Sequence, residues 1–183
     1  MTDAPGTAAL WDDDGEPVLQ HLPTVADTEA LGERLSRLLR AGDLLVLSGP
    51  LGAGKTALVR GLAAGLGVQG RVTSPTFVLA RVHRGPLPLV HVDAYRLRDA
   101  GVTTLDALED LDLDAALEDG VTAVEWGEGL VEGLSDAWLE VRLARGTGAA
   151  GAQAEARSAH VRPHGDRWRA PPRAPGRRAV RWS

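Results

Sequence analysis

The chain has 183 residues, 44% of them apolar, no cysteine, and a formal charge of −5. That length and apolar content suit one domain with a proper core, and the lack of cysteine excludes disulfides, thiol nucleophiles and cysteine-bound zinc. No apolar run approaches the length of a membrane span, and the first residues lack the basic-then-apolar order of a secretion signal, so a cytoplasmic protein is expected.

The charge is unevenly spread: residues 1–16 carry five acids and no base, residues 163–183 carry six arginines and one acid, and the middle is left at −5. Residues 1–16 read as a disordered acidic leader, 17–162 as the folded domain, and 163–183 as a disordered tail rich in arginine and proline. An acidic body makes a poor groove for phosphate backbones, so no stable direct nucleic-acid binding is expected of the domain itself.

In chain order, Val18 to Leu22 suits a short strand. Thr24 or Asp27 can cap a helix whose Leu31, Leu35, Leu38 and Leu39 keep helical spacing until Gly42-Asp43 ends it. An apolar strand, Leu44 to Ser48, then runs into Gly49-Pro50-Leu51-Gly52-Ala53-Gly54-Lys55-Thr56, the phosphate-loop pattern G-x-x-x-x-G-K-[ST]. A helix from about Lys55 to Leu66, ended by Gly67, follows it, so both flanks are those the pattern requires. Glycines let successive backbone N–H groups turn onto phosphate oxygens, and the N-terminus of the helix adds its positive end. Lys55 would reach the outer phosphates and Thr56 would offer its hydroxyl to magnesium. Lys55 is also the only lysine in a chain that otherwise uses arginine. A compact ammonium acts on phosphate as a point charge, where a planar guanidinium would be too bulky.

Further on, Phe77 to Val82 and Leu89 to Val92 read as strands of a hairpin across His83-Arg84-Gly85-Pro86. Residues 99–141 are acidic and contain no lysine or arginine, with leucines at 105, 108, 111, 113 and 117 that suggest one or two short helices. That segment is either a solvated face over a leucine core or a docking surface for a basic partner. Val121 to Glu125 is a strand, and Trp138 to Leu143 with Ala154 to Val161 form a late ribbon around the Gly/Ala linker 146–152. The expected fold is α/β: a P-loop NTPase domain with a largely parallel central sheet, an antiparallel hairpin and a C-terminal edge ribbon.

Hydrolysis or transfer needs carboxylates at strand ends to hold magnesium and orient water. Asp93 and Glu125 end two strands, which is where ligands bind in open α/β sheets. Asp93 is otherwise a turn residue, and Glu125 otherwise an ordinary surface acid. His91 shares a face with Asp93 and is a packed, hydrogen-bonded residue or a ligand. Tyr95 and Trp126 are core aromatics behind the site or stacking platforms, and Arg96 pairs with the acids or touches a phosphate.

Taken together, Gly49 to Thr56, Thr73-Ser74-Pro75-Thr76-Phe77, His91-Val92-Asp93-Ala94-Tyr95-Arg96-Leu97 and Val124-Glu125-Trp126 resemble the TsaE family, over roughly residues 22–145. These are bacterial P-loop ATPases required for threonylcarbamoyladenosine modification of tRNA. The resemblance implies an ATP-hydrolysing protein that works with TsaB and TsaD, resetting the complex in which TsaD modifies tRNA, so that contact with tRNA is indirect. It implies that nucleotide is held by Gly49, Leu51, Gly52, Ala53, Gly54, Lys55, Thr56 and Ala57, with Thr24, Val25 and the ribbon near Gly148 bordering adenine. By the same resemblance Lys55, Asp93 and Glu125 are catalytic, Thr56 and Glu125 hold Mg2+, and Ser74, Pro75 and Thr76 form a switch-like loop. His91, Tyr95, Arg96 and Trp126 stand behind them. Two other readings stay open. A small-molecule kinase would need an arginine-bearing lid, against which the acidic segment argues, and a nucleotide-dependent switch with negligible turnover would order residues 73–77 on the γ-phosphate.

Overall fold

The computed structural model describes residues 9–12, 15–75, 79–96, 114–129, 134–146 and 156–168. Within them seven strands form one sheet: β1 (Gln20–Leu22), β2 (Leu44–Ser48), β3 (Ala80–His83), β4 (Leu89–Asp93), β5 (Val121–Glu125), β6 (Trp138–Arg145) and β7 (Arg157–His164). Their order across the sheet is β1-β7-β6-β2-β5-β4-β3. The central four, β6, β2, β5 and β4, are parallel, while β3 pairs antiparallel with β4, and β7 pairs antiparallel with both β6 and β1. The largely parallel centre, the hairpin and the C-terminal ribbon are therefore all present.

β2, β4 and β5 are buried along their whole length, because parallel strands are covered on both faces and read as continuous apolar runs. One face packs against helices α1 (Val25–Ser36) and α2 (Lys55–Gly65), where Leu31, Leu35, Leu58 and Leu62 meet Leu45, Leu47 and Val141. On the other face Leu44, Val46, Val90, Val92 and Val124 form a second cluster with Leu117 of the short helix α3 (Asp114–Asp119) and with Leu134 and Trp138. α1 and α2 cross with almost no space between them. A Cβ on Gly61 would stand 1.9 Å from the Glu29 carbonyl, and one on Gly32 2.3 Å from that of Leu58.

Several boundaries differ from the expectation. α1 stops at Ser36, and Leu38 and Leu39 lie in turns whose N–H groups donate to the Leu35 and Ser36 carbonyls. Asp43 draws the chain in early: its carboxylate accepts from the Arg40 N–H at 2.9 Å and pairs with Arg167 at 3.1 Å. The first strand begins at Gln20 and β3 at Ala80, while Thr76 to Val78 lie outside the described residues.

Both ends enter the domain further than composition suggested. Ala9 accepts a hydrogen bond from Gln20 Nε2 at 2.9 Å, Trp11 bridges to Pro17, and Leu10 and Trp11 pack on the main core. At the other end β7 continues through Pro163 and His164 into a short helical turn, Asp166–Trp168. Trp168 is 5% exposed in the core and Arg167 stacks on its ring at 4.2 Å. The described chain therefore joins the domain past the expected start of the tail at 163, held by the Trp168 indole and the Arg167–Asp43 ion pair.

Candidate functional site

The phosphate loop leaves the carboxyl end of β2 at the centre of the sheet. Gly49 takes φ +133°, and a Cβ there would stand 2.2 Å from the Leu143 carbonyl, so glycine is required by both conformation and space. Gly52 and Gly54 also have positive φ, 77° and 106°. Gly54 is the N-cap of α2 and supplies no capping side chain, which leaves N–H groups of the first turn for an anion.

Lys55 opens α2 and is buried. Its Nζ donates to the Gly49 and Pro50 carbonyls at 2.7 and 3.1 Å and lies 3.5 Å from the centre of the Trp126 ring. Burial pushes the Lys55 pKa below the ordinary lysine value, while the charges of Glu125 and Asp93 work to raise it. The next residue, Thr56, donates its hydroxyl to Glu125 Oε1 at 2.8 Å, and His91 Nε2 lies 2.9 Å from the same oxygen.

Asp93 and Glu125 are register partners at the ends of β4 and β5. Asp93 Oδ1 accepts the Tyr95 N–H at 3.1 Å and its Oδ2 accepts the Ser74 hydroxyl at 3.3 Å, which ties the 73–75 segment to the strand end. Trp126 follows Glu125 with φ +62°, unusual for a bulky residue. The Leu47 carbonyl, which takes its N–H at 2.9 Å, and the Tyr95 ring, 5.3 Å from its own, hold it there.

Of these groups Lys55, Thr56, Asp93, Glu125 and Trp126 line one cleft of about 670 Å³, a size suited to a nucleotide, while Gly49 and His91 stand behind its wall. The structure brings Leu51, Gly52, Gly54, Lys55, Thr56 and Ala57 to its wall, with Ser74, Asp93, Tyr95, Glu125, Trp126 and Val25. Ala53 is wholly buried under the loop and Pro75 is buried beside Ser74. Thr24 instead caps α1, exchanging hydrogen bonds with Asp27, and it stands just outside the lining. Thr76 and Gly148 lie outside the described residues, and of Arg96 only the backbone, in the turn Ala94–Arg96, is described.

Two lining residues were missed by sequence reading, Arg60 and Arg157. Arg60 sits one turn beyond Thr56 and pairs with Glu29 of α1 at 2.9 Å. Arg157 opens β7 and packs its stem over Gly54, where a Cβ would meet its Cδ at 3.2 Å. Neither belongs to a local motif. Helical spacing from Thr56, four residues earlier, was a signal for Arg60, but only the pairing of β7 with β6 carries Arg157 to the loop.

A hydroxyl and a carboxylate side by side, with a second carboxylate on the neighbouring strand, are hard oxygen donors of the kind magnesium takes. Among the described residues no group of three or more histidines and acids forms a protein-only metal cage. Magnesium bound with phosphate does not need one, since it keeps waters and uses one or two carboxylates.

The family profile described as "Threonylcarbamoyl adenosine biosynthesis protein TsaE" matches residues 22–153. The chain is 58% identical over 142 residues to the tRNA threonylcarbamoyladenosine biosynthesis protein TsaE of Streptomyces coelicolor, covering 75% of this chain and 91% of that protein. It is 57% identical over 129 residues to the protein of that name from Mycobacterium tuberculosis, covering 68% and 77%. The crystal structure of Bacillus subtilis YdiB superposes with a TM-score of 0.63 at 28% identity, covering 82% of this chain and 88% of that one. With the loop, the two strand-end acids and the tryptophan gathered in one cleft, and a profile that spans the whole of that constellation, the chain belongs to the TsaE family.

Proposed function

We propose that the protein is a magnesium-dependent ATPase serving threonylcarbamoyladenosine modification of tRNA, acting with TsaB and TsaD. The observation that carries this reading is the convergence of Lys55, the Thr56–Glu125 pair and Asp93 on one cleft at the carboxyl edge of the sheet. The uncapped start of α2 and the loop glycines would receive the phosphates, with Lys55 exchanging the Gly49 and Pro50 carbonyls for phosphate oxygens. Thr56 and Glu125 would hold Mg2+, which when bound neutralises charge on the outer phosphates. Asp93, fixed by the Tyr95 N–H and the Ser74 hydroxyl, would orient the attacking water. Val25 and Arg157 flank the loop on the side left for the rest of the nucleotide.

The Ser74–Asp93 hydrogen bond also favours a switch role for Ser74, Pro75 and Thr76, in which nucleotide state sets the shape offered to partners. Phosphate release measured with the purified protein, with and without TsaB and TsaD, tests the proposal. Turnover that rises with the partners supports it. Nucleotide-dependent partner binding with no phosphate release would leave a switch, and neither would overturn the reading.

A further inference from the structure

Glu125 Oε1 is engaged from two sides, by the Thr56 hydroxyl at 2.8 Å and by His91 Nε2 at 2.9 Å. His91 lies in the middle of β4, in register with Ala123 of β5, and has no exposed surface. A carboxylate oxygen can only accept, so the ring nitrogen that faces it, Nε2, carries a hydrogen and donates it. Nδ1 is buried and has no hydrogen-bond partner. The neighbouring His83, whose ring centre is 6.2 Å away, does not complete a chain, since its own Nε2 is also buried without a partner.

A buried polar ring nitrogen without a partner lowers stability, and the rest of β4, apart from the terminal acid, is leucine and valine. Packing would be served better by another aliphatic side chain. What an aliphatic residue cannot supply is the N–H toward Glu125. Partners that orient a metal-holding carboxylate act in this way, from a strand that itself never meets the ion.

We propose that His91 is a positioning residue for the magnesium site: its Nε2–H fixes the Glu125 carboxylate beside the Thr56 hydroxyl at the cleft wall. This rests on the magnesium reading of Thr56 and Glu125 given above. His91 touches neither nucleotide nor metal. Its effect is to hold Glu125 in the arrangement the ion needs before the nucleotide arrives.

Two amides separate the ring nitrogens. The side-chain N–H2 of glutamine can occupy the place of Nε2, whereas that of asparagine reaches only the place of Nδ1. The test is the affinity for the non-hydrolysable ATP analogue AMPPNP, measured by calorimetry with magnesium and again with EDTA, for the parent, His91→Gln, His91→Asn and His91→Leu. His91→Gln should stay within about twofold of the parent, and Asn and Leu should lose about tenfold or more with magnesium, with all four alike in EDTA. In the parent, long-range 1H–15N spectra should show the His91 imidazole carrying its hydrogen on Nε2.

Asn and Leu variants that bind with magnesium as tightly as the parent would overturn the proposal. So would a Gln variant as impaired as Leu, losses equal with and without magnesium, or an Nε2 that carries no hydrogen. A parent whose affinity ignores magnesium would overturn the reading of the site itself, and the proposal with it.

Discussion

Lys55 stacks on an indole and is satisfied by two loop carbonyls, so its ammonium is already desolvated before any phosphate arrives. Replacing it with alanine should leave the fold intact, abolish ATP turnover and weaken nucleotide binding by tenfold or more, about 1.4 kcal/mol at the least. Calorimetry and phosphate release would show this, and unchanged hydrolysis would refute the loop assignment. The lowered pKa of Lys55 adds a pH dependence. Between its folded value and the ordinary 10.5, the unfolded chain keeps a proton that the folded chain has lost, so in that window this group makes stability rise with pH. Affinity for phosphate should do the opposite and fall through the same window, earlier than an ordinary lysine would allow. Nucleotide titrations from neutral to alkaline pH should show the fall in the parent and not in Lys55→Ala. The two acids should fail differently. Glu125→Gln should raise the magnesium concentration needed for activity, and Asp93→Asn should lower turnover while keeping nucleotide affinity nearly unchanged. Two variants that hydrolyse ATP like the parent would remove both acids from the site.

At the scale of elements, the site depends on how closely α1 lies on α2. Gly61→Ala would put a methyl 1.9 Å from the Glu29 carbonyl, a backbone atom that cannot give way. Overpacking of that kind costs roughly 1–3 kcal/mol. The melting temperature should fall by several degrees, and nucleotide affinity should fall with it, because α1 carries Val25 at the cleft. β2 and the start of α2 were legible to the residue, since an apolar run followed by glycines leaves little choice of conformation. Asp93 and Glu125 were legible because each closes such a run. The end of α1 was not. Leu38 and Leu39 keep helical spacing, but Asp43 turns the chain through contacts with Arg40 and with Arg167, which lies 124 residues away. Arg157 was illegible for the same reason: its neighbour, the loop, is set by strand order and not by anything near it in the chain.

For the whole molecule, residues 163–168, which composition assigned to the tail, continue β7 and place Trp168 in the core. Two truncations measure what they contribute, one removing residues 169–183 and one removing 163–183. The first takes away five arginines, the second six arginines and Asp166, so both leave a net charge of −10. A difference between them therefore does not come from net charge. The shorter deletion should leave the melting temperature almost unchanged. The longer one loses the Trp168 indole and the Arg167–Asp43 pair and should cost about 3–5 kcal/mol. Equal melting curves would show that the Trp168 anchor contributes nothing.

That anchor gives the sheet a direction. Asp43 stands just before β2 and the phosphate loop just after it, so the attachment of Trp168 and the nucleotide cleft sit at opposite ends of a five-residue strand, about 16 Å of rise. A biotin joined through a spacer after Trp168 would fix the protein to a surface by its rear and leave the cleft facing solution. Oriented capture of this kind would let nucleotide exchange be followed on single molecules without a label near the phosphates.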